Sequence, residues 1–84
     1  MRILNSALKH GLSRDEITEA FARPIYEFTE RNSPLKVILV GLGSRIPYIE
    51  IIYTQDEHTG ETVIFHAMKA SKQLINRAQR QGRI

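Results

Sequence analysis

Apolar and polar positions change period twice along this chain, and each change marks a change of element. Ile3, Leu4, Ala7 and Leu8 recur at helical spacing up to His10, where Gly11 offers a stop. Ser13 reads as an N-cap, and Glu16 three positions later completes a capping box. Ile17, Ala20 and Phe21 supply the apolar face of this second helix, which Pro24 ends by disfavouring a helical Arg23. From Ile25 the pattern is extended. Ile25–Arg31 mixes aromatic and β-branched residues with charged ones, and Asn32-Ser33-Pro34 forms a turn. Leu35–Leu42 is almost continuously apolar, as in a central strand covered on both faces. Tyr48–Thr54 and Glu61–Met68 follow as strands, separated by the polar turn Gln55–Gly60. Helical period returns from Ala70 to Gln81, with Leu74, Ile75 and Ala78 on one face and Lys72, Asn76 and Arg80 on another.

The expected fold is therefore α+β: two N-terminal helices, a four-stranded, mostly antiparallel meander and a C-terminal basic helix. Residues 1–84 make one domain with no linker or repeat. The helix pair suggests a DNA reader only at first sight, because its second helix is acidic at the end that would meet phosphate.

Charge changes the picture once it is divided along the chain. Residues 1–61 hold seven bases and nine acids, whereas residues 62–84 hold Lys69, Lys72, Arg77, Arg80 and Arg83 and no acid. An asymmetry of this kind faces a polyanion or an acidic protein, or simply solvates a terminal helix. There is no cysteine, hence no disulfide framework, thiolate metal site or cysteine nucleophile. With no apolar leader after Met1 and no long apolar run, a cytoplasmic protein with no membrane partner is expected.

No P-loop, GxGxxG, GxSxG or HExxH pattern occurs, and His10, His58 and His66 lack metal-ligand spacing. No metal or other cofactor is expected. What remains are side chains suited to phosphodiester chemistry without metal: a base for the ribose 2′-OH, an acid for the leaving oxygen and cations for the phosphoryl charge. If Thr54 opposes Glu61, then Tyr53, Thr62, Ile64, His66 and Met68 share one sheet face near the basic helix. His66, among Ile64, Phe65 and Met68, reads equally as a buried imidazole, and Tyr53 as a packing residue. Lys9 suits the end of a helix, and Arg45 lies in a loop.

Lys9-His10-Gly11-Leu12-Ser13, followed by a short acidic helix and Pro24, resembles the opening of the BrnT-type toxins. Arg45-Ile46 with Ile51-Ile52-Tyr53-Thr54 is similar to the Arg-containing turn and following strand of that family. Ile64–Ala70 resembles its final strand, which leads into a basic helix. The resemblance implies a RelE-like fold and the toxin of a type II toxin–antitoxin system, a ribonuclease that inhibits translation and growth. It also implies two partners, a cognate antitoxin and RNA, the latter being mRNA either free or on the ribosome. Carried over, it marks Lys9, Arg45, Tyr53 and Lys69 as catalytic, with His66 added from the strand argument. Lys72, Arg77, Arg80 and Arg83 would bind RNA. The alternative is a non-catalytic nucleic-acid-binding or protein-interaction module that uses the basic helix.

Overall fold

The computed structural model describes residues 1–84. Four strands form an antiparallel meander: β2 (Pro24–Asn32), β3 (Leu35–Leu42), β4 (Tyr48–Gln55) and β5 (Thr62–Lys69). A short strand β1 (Arg2–Ile3) adds to the outer edge of β5 in parallel, so the sheet is five-stranded and mixed, with order β1-β5-β4-β3-β2. Helix α1 (Arg14–Phe21) precedes the meander and α2 (Lys72–Arg80) follows it.

This corrects the expected architecture of two N-terminal helices on a four-stranded antiparallel sheet. The first helix is replaced by β1 and one 3-10 turn, Asn5–Leu8. A segment this short nucleates an α-helix poorly, and Leu4 at its start offers no side-chain cap. Sheet closure competes better. The Leu4 amide donates to the Ile64 carbonyl at 2.9 Å, which covers part of an otherwise open β5 edge. The apolar spacing is met in another way: Ala7 is buried and Ile3 and Leu8 pack against the core, but Leu4 stays 36% exposed.

Helix α1 is set by its own sequence. Ser13 Oγ accepts from the Glu16 amide and Glu16 Oε1 accepts from the Ser13 amide, both at 3.1 Å. Its buried face, Ile17 and Ala20, joins Leu39, Ile49, Ile51, Ile64 and Ala67 in the main core on one side of the sheet. The chain approaches itself closely there. A Cβ on Gly41 would lie 2.0 Å from the Ala20 carbonyl oxygen, so only glycine lets α1 rest on β3.

The second sheet face carries α2. Val40 and Ala78 are fully buried there, but the packing is incomplete. Between the helix and the sheet lies a groove of 250 Å3 walled by Phe28, Ile38, Ile52 and Leu74. No helix of the chain is long and apolar enough to cross a membrane.

Candidate active site at the edge of the sheet

An irregularity in the β4–β5 ladder decides which side chains meet. Thr54 pairs with Val63 and Tyr53 with Ile64, but Ile52 pairs with His66, so one extra residue of β5 is accommodated at this point. Side chains alternate along a strand, so the bulge reverses the parity of everything beyond it. Tyr53 and Ile64 stay on the α1 face. His66 and Met68 turn to the α2 face, and Ala67 takes the place in the core. The expected sharing of one face by Tyr53 and His66, drawn from a regular hairpin with Thr54 opposite Glu61, is thereby corrected.

His66 finds different company. Its Nε2 lies 2.8 Å from Glu50 Oε2, a pair whose side chains are only 23% and 12% exposed. The other carboxylate oxygen of Glu50 accepts the Ser71 amide at 2.8 Å, so one side chain joins β4, β5 and the N-cap of α2. A carboxylate only accepts, so Nε2–H is the donor in this bond, and Nδ1 is the ring nitrogen that Glu50 does not engage. His10 stands edge-to-face against His66, with 5.5 Å between ring centroids. It reaches this position because Gly11, at φ +86°, turns the chain directly after it. The Ser6 hydroxyl donates to the Phe65 carbonyl at 2.7 Å and pins the preceding turn to the same edge.

The other expected site residues divide between the two faces. Lys9 caps the 3-10 turn next to His10, and Lys69 ends β5; both are exposed and outside the ion pairs of the chain. Arg45 is taken up by Glu16, with Nη2 and Nε each 2.8 Å from Oε2. The Ser13 amide, together with this guanidinium, holds Glu16 below the ordinary glutamate value of 4.5. Tyr53 packs edge-to-face on Phe21 and donates to Glu27 Oε2 at 3.2 Å. Burial, reinforced by the Glu27 charge, pushes its phenol above the usual 10.0, so it is a proton-bearing donor at neutral pH.

Helix α2 presents Lys72 and Arg80 to solvent, with Arg83 exposed just beyond its end. Arg77 is different. Its Nε donates to the Tyr26 hydroxyl at 2.9 Å, and its guanidinium carbon lies 3.6 Å from the Phe28 ring centre. Of the nine expected positions, the structure thus places His66 with Glu50 and His10, and separates it from Tyr53 and Arg45 across the sheet.

Glu50 is the residue that sequence reasoning passed over. Its signal was present: a single carboxylate inside the apolar strand Tyr48-Ile49-Glu50-Ile51-Ile52-Tyr53 needs a buried partner. His10 entered the sequence reading as part of the Lys9-His10-Gly11 turn and not as a candidate for chemistry. No protein-family model matches this chain, and no curated protein or solved structure matches it either.

Proposed function

We propose that this chain is the toxin of a type II toxin–antitoxin pair, an endoribonuclease that cuts RNA by general acid–base chemistry without a metal. The observation that supports the reading best is the group formed by Glu50, His66 and His10 at the sheet edge. Glu50 fixes the ring of His66, so the free Nδ1 takes the proton of a ribose 2′-OH. The 2′-oxygen attacks phosphorus, the bond to the 5′-oxygen breaks and a 2′,3′-cyclic phosphate forms. His10 is the proton donor to the leaving 5′-oxygen. Lys9, next to His10, supplies positive charge that the pentavalent phosphoryl group requires, whereas Lys69, paired with Ile49, has the parity of the α1 face. Arg45 and Tyr53 have no step in this scheme, because Glu16 and Glu27 engage them on the other face.

RNA is the substrate and a cognate antitoxin protein the inhibitor, and the cytoplasm is where both would be met. Purified protein, treated with chelator, should cut single-stranded RNA and leave cyclic phosphate ends. His66→Ala and His10→Ala should each slow cutting by roughly 10²–10⁴-fold, and both should relieve the growth arrest that induction of the protein causes. Undiminished cutting by the double variant would remove the site. RNA that is bound and never cut would favour a non-catalytic binder working through the exposed, unpaired Lys72, Arg80 and Arg83. Its affinity would fall steeply with salt.

A further inference from the structure

The groove between α2 and the second sheet face has no step in the chemistry above, yet it opens beside it. Glu50 both lines the groove and holds His66, so a molecule in the groove lies one side chain from the proposed base. The groove measures 250 Å3, below the roughly 300–1,000 Å3 of sites that enclose drug-sized ligands, so it suits one flat ring system.

Its most unusual wall is Arg77. A surface arginine normally samples many rotamers, but here the Tyr26 hydroxyl and the Phe28 ring hold the guanidinium from two sides. A guanidinium fixed in this way is a planar, cationic platform. Unpaired bases stack on such planes and on aromatic rings, because every base has a π face. The apolar walls Ile38, Ile52 and Leu74 suit the rest of a ring, and the Gln73 side chain offers a donor and an acceptor to its edge. The helix that forms this wall also carries Lys72 and Arg80, which attract the phosphates of the same strand.

We propose that this groove is a base-binding subsite that takes one unpaired nucleobase of the RNA and stacks it on the Arg77 guanidinium, on the face turned away from the Phe28 ring that backs it. Resting on the ribonuclease reading for its role, it sets which nucleotide lies beside His66.

The test is an NMR titration of the intact chain with the four nucleoside 5′-monophosphates and with ribose 5-phosphate. All five ligands carry the same phosphate, so their difference reports the base. The nucleotides should bind ~10-fold more tightly than ribose 5-phosphate, with shifts centred on Phe28, Leu74 and Arg77. Arg77→Lys keeps the charge and loses the plane, and Phe28→Leu keeps the bulk and loses the ring; both should erase the difference. Equal binding of ribose 5-phosphate to the wild type, or shifts elsewhere, overturns the subsite, and this comparison decides even if neither variant folds. The two readings fail separately. RNA cut with no base preference and no groove shifts leaves the ribonuclease and removes the subsite; nucleotides held in the groove of a protein that cuts nothing do the reverse.

Discussion

Glu50 holds His66 across the β4–β5 ladder at 2.8 Å, and with its second oxygen holds the Ser71 amide at the same distance. It is a positioning residue for the site and a tie between sheet and helix. Glu50→Ala should therefore lower stability by about 1–3 kcal/mol, since two half-buried donors lose their acceptor; urea unfolding measures it. Glu50→Gln separates the two roles. Its amide oxygen can still serve Ser71, while its NH2 cannot accept from Nε2, so the tautomer of His66 is reversed. Cutting should fall and its pH profile should shift while stability stays near wild type. A parallel loss of both, with an unchanged profile, would leave Glu50 a purely structural role.

Gly41 offers a test of how α1 meets the sheet. Alanine there would drive a methyl group to 2.0 Å from the Ala20 carbonyl, and backbone on both sides must move to relieve it. The expected cost is about 1–3 kcal/mol, seen as a melting temperature lower by roughly 4–8 °C per kcal/mol for a domain of this size. A wild-type melting temperature for Gly41→Ala would mean that the helix does not lie so close.

Stability should fall at both ends of the pH scale. Glu16 lies below its ordinary value of 4.5, held there chiefly by the Ser13 amide, and Asp56 below 3.8, held by the amides of His58 and Thr59. A depressed carboxyl stabilises above its unfolded value, and that contribution is lost as pH falls through the folded one. Tyr53 has the opposite sense. Its phenol is raised above 10.0, so its contribution is present below that pH and is lost as pH rises through the folded value. Glu16→Gln and Asp56→Asn should flatten the acid limb of a stability–pH curve, and Tyr53→Phe the alkaline limb. Unaltered limbs would show that these groups titrate alike in the folded and unfolded chain.

The pairing of β1 is directly measurable by hydrogen exchange. The Leu4 amide, four residues from the start of the chain, donates to Ile64 at 2.9 Å and should exchange far more slowly than an unstructured peptide. Exchange at the unstructured rate would restore the four-stranded sheet.

Much of the fold was legible in local pattern. Ser13 and Glu16 announce α1 because a capping box lies within four residues, and Pro24 ends that helix through its own ring. The apolar run Leu35–Leu42 announces a strand covered on both faces because each alternate side chain must be buried, and the short polar turns fix an antiparallel meander. The basic, acid-free stretch from residue 62 onward is likewise a property of composition alone.

Three features depend on partners distant in sequence, and only the folded chain decided them. The spacing of Ile3, Leu4, Ala7 and Leu8 fits a helix and a strand-plus-turn equally, and the open edge of β5 chose the second. The β4–β5 bulge leaves no mark on either strand alone, because it is a relation between two ladders of hydrogen bonds; yet it moves His66 from the side of Tyr53 to that of Glu50. Arg77 counts as one more positive charge in the sequence, until α2 lies on the sheet and Tyr26 and Phe28 hold it flat. Residue types and local periodicity thus determined which elements form and what chemistry they carry. Which of those groups meet was decided by register and packing, since a shift of one residue in a strand exchanges its two faces.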